Sequence, residues 1–139
     1  MSAEQTWASY EDRVLLMKVV LQAADVSNHV KPTPLAEKFS EMVAKEFTDQ
    51  VVEEQSRGLP SLPYMQGLED MATRMKGEMA FVDYVVTPLW RALTGMFPEL
   101  QVATDQLSRN RAHFEVIASS ATNQGTVPGT VPDSEPPAI

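Results

Sequence analysis

An apolar run between residues 14 and 24 constrains the fold of this chain more than any other feature of its sequence. It contains no acidic residue, and only Lys18 and Gln22 interrupt its apolar positions. Glu11 and Asp12 precede it, where negative charge stabilises the first turn of a helix. A helix that is apolar around most of its circumference must be covered on two sides. The run therefore predicts a helix in the middle of a bundle.

Asp25 directly follows residues 14–24 and closes this acid-free run with a single carboxylate. A carboxylate buried there without a partner would cost several kcal/mol, so the position needs an explanation. One interpretation is a helix-terminal residue that caps the next turn. The other is a metal ligand on a rigid helix end, with Asn28 facing the same cleft. The residue pattern alone leaves both interpretations open.

A second helix is indicated between Thr33 and Gly58. Threonine can cap a helix, and Pro34 suits the first helical position. Apolar residues then recur by threes and fours over residues 35–51, with charged residues on the opposite face. Gly58 is expected just beyond the helix, because glycine adopts the left-handed conformation that commonly ends helices.

Residues 68–97 form a third helical pattern, which Gly77 and Pro88 should bend or divide. A fourth helix is predicted after Pro98. No alternating pattern typical of strands competes with these assignments. The sequence therefore predicts an all-α fold, a helical bundle.

The composition changes at Ser119, after which Ser, Thr, Pro and Gly dominate. Such a segment has too little apolar surface to pack a core. We therefore predict one folded domain over residues 1–118 and a disordered tail over residues 119–139.

Charge and composition exclude several classes of function. The net charge is −8 and no basic stripe is present, so nucleic acid and anionic membranes are not expected as main partners. The chain has no cysteine, which rules out disulfides and cysteine-bound zinc. No apolar run is long enough to span a membrane and no signal peptide is recognised, so we expect a cytoplasmic protein.

The chain has two histidines, His29 and His113. His29 lies in a polar turn and is predicted to be a solvated side chain. His113 is predicted to occupy a surface position on the last helix. Trp90 follows Pro88 in an apolar segment and is expected to be a packing anchor.

Several segments resemble, in order, the class I cyclic nucleotide phosphodiesterases. Residues 23–28 (Ala-Ala-Asp-Val-Ser-Asn) resemble the motif that carries the last metal-binding aspartate of that family. Residues 9–14 resemble the lead-in to the same helix, and residues 57–60 keep the order and spacing of the family. Residues 81–90 are similar to the signature around the nucleotide clamp, and residues 107–111 resemble the closing helix. Any one of these motifs is weak, but together they are specific.

The resemblance covers residues 9 to about 118 and corresponds to the C-terminal portion of the family's larger, all-helical catalytic domain. It implies hydrolysis of cAMP, cGMP or both to the 5′-monophosphate by two divalent metal ions, zinc and magnesium or manganese. In the family, the metal-binding histidines, the first aspartate and the general-acid histidine lie upstream of this portion. Residues 1–139 alone are therefore expected to be inactive, with Asp25 as the one metal ligand.

The resemblance also assigns binding roles to individual residues. Asn28 would contact the base or ribose of the nucleotide. Phe81 would stack on the purine, and Val43 would form the opposing apolar jaw. The remaining pocket positions would be Phe39, Ser40 and Phe47.

Glu78 departs from the family pattern, which has a purine-binding glutamine three residues before Phe81. An ionised carboxylate offers acceptors only, whereas an amide offers a donor and an acceptor. We therefore expect weak nucleotide affinity near neutral pH, improving when the carboxyl group is protonated. The alternative is that Glu78 turns to solvent or pairs with Arg74, one helical turn earlier.

Two other functions remain open at this point. The first is a non-catalytic helical interaction module, derived from the same family, whose exposed apolar faces pair with another chain or with a second copy. The second is a structural bundle that binds no ligand.

Overall fold

The computed structural model describes residues 9–124, and their side chains as far as residue 122. Its α-helices are α1 (Tyr10–Asp25), α2 (Thr33–Ser56), α3 (Met71–Phe81), α4 (Thr87–Met96) and α5 (Gln101–Gln124). A π-helical segment (Val82–Val86) joins α3 to α4, and short 3₁₀ turns occupy Ser27–Val30, Pro63–Met65 and Pro98–Leu100. The described residues contain no strand, which confirms the predicted all-α fold. None of these helices combines the length and apolar character needed to cross a membrane.

The start of α2 differs from the prediction, although its end agrees. Pro32 occupies the N-cap position, and Thr33 lies inside the first turn. The hydroxyl of Thr33 instead donates a 2.7 Å hydrogen bond to Oδ1 of Asn110 on α5. At the other end, Gly58 adopts a φ of 69°, as expected for a glycine that terminates a helix.

The division predicted within residues 68–97 occurs at the π segment that precedes Pro88. Proline has no N–H and its ring clashes with the carbonyl of the residue four positions earlier, so a regular α-helix is disfavoured there. The backbone widens by one residue, and the N–H of Thr87 bonds to the carbonyl of Val82. Gly77 does not interrupt α3.

The core lies on both sides of α5. One cluster contains the fully buried Val82 and Val86 of the π segment, packed with Trp90, Leu93 and Leu107. Trp90 is thus the packing anchor that the sequence indicated. The second cluster joins α2, α3 and α5 through Ala36, Met75, Phe114 and Ala118. These contacts make α5 the helix against which α2, α3 and α4 pack, together with the 3₁₀ turn that follows α1.

Helix α1 is not in the middle of the bundle, and that prediction is wrong for the described residues. Its buried face, centred on Ala23 and Val19, joins the cluster that contains Trp90 of α4. On the opposite face Met17 and Leu21 remain 66% and 72% exposed. One side of the apolar helix is therefore covered and the other is bare.

The last helix continues past the boundary predicted at residue 118, because Ser119 and the residues after it extend α5 to Gln124. The hydroxyls of Ser119 and Ser120 donate to backbone carbonyls one turn earlier, so the helix satisfies these polar groups. The predicted disorder is wrong for residues 119–124, and the rest of the predicted tail lies outside the described residues.

Asp70 is the N-cap of α3 and gives a prediction about pH. Its carboxylate accepts a 2.7 Å hydrogen bond from the N–H of Thr73. Hydrogen bonding to Thr73 holds the pKa of Asp70 below its ordinary value of 3.8. Stability from this cap is therefore present above that ordinary value and is lost as pH falls through the lower, folded-state pKa.

We expect Asp70→Ala to lower the urea midpoint near neutral pH, and the difference from the unsubstituted chain to shrink in acid. The control is Asp49→Ala, since Asp49 is an exposed carboxylate in the middle of α2. An Asp70→Ala difference that stays constant into acid would show that the cap is not ionised.

Candidate functional site

A cleft of about 670 Å³ opens between α2, α3 and the 3₁₀ turn that follows α1. Its apolar walls include Val43 and Phe47 from α2 and Phe81 from the end of α3. Phe47 is held edge-on to Tyr64, with ring centroids 5.9 Å apart, so the side of the cleft near the loop is aromatic. A cleft of this size and character suits a small ligand with a flat apolar part.

Most residues that the sequence predicted for ligand binding come together in this cleft. Those that line it are Asn28, Ser40, Val43, Phe47, Glu78 and Phe81. Phe39 does not line it and is 37% exposed on α2. The binding roles stay predictions, but the helices do place these six side chains around one volume.

Asp25 is the last residue of α1 and is exposed, one position before Val26, which lines the cleft. Within residues 9–124 no three His, Cys, Asp or Glu side chains are grouped so that they could hold a metal ion. A hard divalent cation takes about six ligands, so one carboxylate does not make a site. The residues present thus do not fit a complete metal centre, and the role of Asp25 as a ligand stays a prediction.

His29 is buried, which contradicts the prediction of a solvated side chain. It is 6% exposed, and its Nδ1 lies 3.2 Å from the carbonyl oxygen of Val26. Its Nε2 lies 3.0 Å from Oε1 of Glu78, and its ring centroid is 5.3 Å from that of Phe81. The 3₁₀ turn folds the imidazole back against α3, so the histidine becomes part of the cleft wall.

Glu78 pairs with His29, so neither solvent nor Arg74 is its partner. Its side chain is 16% exposed and lines the same cleft. The expectation of an unpaired carboxylate facing the ligand therefore needs revision, because Nε2 of His29 already contacts one of its oxygens. The sequence carries one signal that His29 is buried, because this histidine stands between the apolar residues Val26 and Val30. In the structure Val26 is buried and Val30 is partly buried.

Other polar groups in the cleft lack partners within the described part of the chain. The hydroxyl of Ser40 has no hydrogen bond although the residue is only 3% exposed. Nε of Arg74, which also lines the cleft, is similarly unpaired. Buried polar groups are normally satisfied, so these two atoms are exceptions within the wall of the cleft.

Asn110 holds the 3₁₀ turn in place and was not singled out from the sequence. It is fully buried, and its amide nitrogen donates 2.8 Å hydrogen bonds to the carbonyls of both His29 and Lys31. Its oxygen accepts from Thr33 at 2.7 Å and from Gln106 at 2.9 Å. The available signal was an asparagine at core spacing on the apolar face of α5.

Arg111 ties α5 to the π segment, and so to the end of α3 that carries Phe81. Its guanidinium forms a two-pronged contact with the carboxylate of Asp83, with distances of 3.2 and 3.1 Å. Hydrogen bonding to Asp83 raises the pKa of Arg111 above its ordinary value. His113, two positions on, is partly exposed and lies 3.5 Å from Glu37, in keeping with its predicted surface position.

Comparison with known proteins identifies the class to which this fold and cleft belong. The family model for 3′,5′-cyclic nucleotide phosphodiesterase matches residues 1–107. The chain belongs to that family, as its motifs indicated.

Individual relatives agree with this assignment. The chain is 31% identical over 108 residues to mouse 3′,5′-cyclic-AMP phosphodiesterase 4C, covering 77% of this chain and 16% of that protein. It is 30% identical over 111 residues to mouse high affinity cGMP-specific 3′,5′-cyclic phosphodiesterase 9A, covering 78% and 20%. The chain thus spans a fifth or less of the length of these relatives.

The fold is similar to that of a crystal structure of the phosphodiesterase domain of the RhoPDE fusion protein from the choanoflagellate Salpingoeca rosetta. The TM-score is 0.78 and the sequence identity 35%, with 83% of this chain and 36% of that chain covered. The described helices therefore have the arrangement of one part of a phosphodiesterase domain.

Proposed function

We propose that this chain supplies the base-binding side of a catalytic domain that hydrolyses 3′,5′-cyclic nucleotides. The observation that carries the proposal is the cleft, in which six residues predicted from the family motifs surround one volume. Family membership supports the reaction class, and the relatives named above include one cAMP and one cGMP phosphodiesterase.

The base would lie between Phe81 and Val43, which reach the cleft from α3 and α2 respectively. A purine is flat and apolar on its faces and polar at its edge. Aromatic stacking on a base contributes about 1–3 kcal/mol, and an aliphatic jaw opposite the ring excludes water. Asn28, Ser40 and Glu78 supply the polar groups that the edge of the base and the ribose require.

Among the described residues, Asp25 is the one to which we assign a role in binding the metal ions. In a complete site, two divalent ions would supply the activation of a water nucleophile and the polarisation of the phosphate. Asp25 would give one carboxylate to such a site, and the other ligands would come from protein beyond the described residues. The expected cytoplasmic location also stays a prediction.

A second candidate function is a non-catalytic interaction module. It is favoured by the bare apolar side of α1, which another chain could cover. This function and the first are compatible, because the surface and the nucleotide cleft lie on different elements.

The test is nucleotide binding by residues 1–139, measured calorimetrically with cAMP and cGMP. We expect Phe81→Ala to weaken binding of both nucleotides by roughly tenfold or more, the effect of losing a stacking partner. Tyr84→Ala is the matched control, because Tyr84 is an aromatic residue three positions later that is 83% exposed outside the cleft. The proposed base site would be refuted if Phe81→Ala and Tyr84→Ala weakened nucleotide binding equally. It would also be refuted if the unsubstituted chain bound neither cAMP nor cGMP.

A further inference from the structure

Two neighbouring residues of α5 bond to two different elements that meet at the cleft. Asn110 donates 2.8 Å hydrogen bonds to the carbonyls of His29, in the 3₁₀ turn, and of Lys31, directly after it. Arg111 contacts both carboxylate oxygens of Asp83 in the π segment, at 3.2 and 3.1 Å. Successive residues point about 100° apart around a helix axis. A single turn of α5 therefore bonds to both elements at once.

A third contact joins the same two elements directly. Nε2 of His29 lies 3.0 Å from Oε1 of Glu78 on α3, while the backbone carbonyl of His29 accepts from Asn110. Helix α3 continues into the π segment through Val82, whose backbone is helical. The turn, α3 with the π segment, and α5 thus form a closed circuit of polar contacts. In such a circuit each contact restricts the movement that the other two would allow.

The two contacts made by α5 differ in exposure. Asn110 has no solvent exposure, so the carbonyls that it binds would be costly to leave without a donor. The side chains of Arg111 and Asp83 are 31% and 43% exposed. A two-pronged contact between a guanidinium and a carboxylate fixes orientation as well as distance. Asn110 therefore anchors the turn firmly, and Arg111 holds the π segment more weakly but in one orientation.

Both of the elements held by α5 carry residues that line the cleft. Asn28 belongs to the 3₁₀ turn, and Phe81 is the last residue of α3, two positions before Asp83. The distance between the turn and the end of α3 sets the width of the cleft at this edge. Asn110 and Arg111 do not line the cleft, so their effect on a ligand is exerted through the elements that they hold.

We propose that Asn110 and Arg111 fix the width of the cleft from outside it, and thereby control how tightly the cleft binds a nucleotide. The inference rests on the proposed function for the class of ligand. It adds two positioning residues on α5, a helix to which the sequence assigned no part in binding.

The test measures the distance between the two elements without using a ligand. The chain has no cysteine, so spin labels can be attached at chosen positions alone. Lys31→Cys and Tyr84→Cys would place one label beside the turn and one on the π segment, where both side chains are exposed. Labelled chain is diluted into excess unlabelled chain, so that distances within one molecule are measured. We expect a narrow distance distribution, and a clearly broader one after Asp83→Asn or Asn110→Ala.

The matched control is Glu115→Gln. Glu115 is the other carboxylate that Arg111 contacts, but it lies one turn further along α5 and holds no second element. This variant should keep the narrow distribution. Asp83→Asn should also weaken binding of cAMP and cGMP by about two- to fivefold, the effect of losing a partly exposed ion pair, whereas Glu115→Gln should not. Circular dichroism checks folding, and Asp83→Asn decides the test if Asn110→Ala does not fold.

The outcomes separate this inference from the proposed function. A distribution that stays narrow in Asp83→Asn, or that broadens as much in Glu115→Gln, would overturn the inference. Broadening in Asp83→Asn without loss of nucleotide affinity would also overturn it, because the width of the cleft would not control binding. If the unsubstituted chain bound neither nucleotide, the proposed function would fail, and the distance measurements would still decide whether α5 fixes the cleft.

Discussion

Replacing Asn110 by alanine is expected to lower the free energy of unfolding by about 3 kcal/mol or more. The amide makes four hydrogen bonds at a position with no solvent exposure. Its removal leaves the carbonyls of His29 and Lys31 without their donor, and each buried group left unsatisfied costs about 1–3 kcal/mol. The measurement is urea unfolding followed by circular dichroism.

The control for this prediction is Gln50→Ala, which removes an amide that bonds only to Glu54 on the exposed face of α2. It should change stability by less than about 0.5 kcal/mol. Asn110→Asp is a second comparison, because it retains the acceptor and removes the donor to both carbonyls. If Asn110→Ala destabilises the chain no more than Gln50→Ala, the amide network does not hold the turn that carries His29.

The second large effect is expected in the association state of the chain. Tyr10, Met17 and Leu21 are spaced by seven and four residues on the side of α1 that faces away from the core, and each is more than half exposed. Apolar surface of this kind promotes self-association or a molten state. Residues 1–139 alone should therefore sediment as oligomers whose mass rises with protein concentration.

The double substitution Met17→Gln and Leu21→Gln should shift that equilibrium strongly towards monomer. The matched control is Val102→Gln with Val116→Gln, which makes two exposed residues of α5 polar and leaves α1 unchanged. A monomer at all concentrations that also unfolds in one sharp thermal transition would contradict the prediction.

The fold was predictable because its helices are specified locally. The apolar spacing of α2 and α5 specifies these two helices. Gly58 specifies the end of α2, and Pro88 specifies the division between α3 and α4; each of these signals acts over only a few residues. The position of α1 was not predictable in the same way. Its apolar run shows that two faces need covering but does not say whether the partner surfaces belong to the same chain.

The cleft residues were found through motifs, whereas the two contacts that organise them are long-range. His29 meets Glu78, and Asn110 meets the carbonyls of the 3₁₀ turn, across long separations in sequence. A polar turn predicts exposure when its neighbours in space are unknown, and for that reason His29 was assigned to solvent. Glu78 was recognised as unusual, but its partner could not be named without the fold.

The most direct test of the central claim is hydrolysis by a reconstituted domain. Residues 9–118 would replace the corresponding segment of the Salpingoeca rosetta phosphodiesterase domain, with which this chain shares 35% identity. We expect this chimaera to hydrolyse cyclic nucleotides when Mg²⁺ or Mn²⁺ is supplied, whereas residues 1–139 alone should not.

In the chimaera, Asp25→Ala should reduce the rate of hydrolysis by more than about 100-fold. Mutating a residue that hydrogen-bonds to a metal ligand typically lowers activity by about 10- to 100-fold, and loss of the ligand itself should lower it at least as much. Asp105→Ala, at an exposed carboxylate of α5, should leave the rate unchanged. A folded chimaera that hydrolyses neither cAMP nor cGMP, or one whose rate survives Asp25→Ala, would contradict the assignment of this chain to the catalytic site.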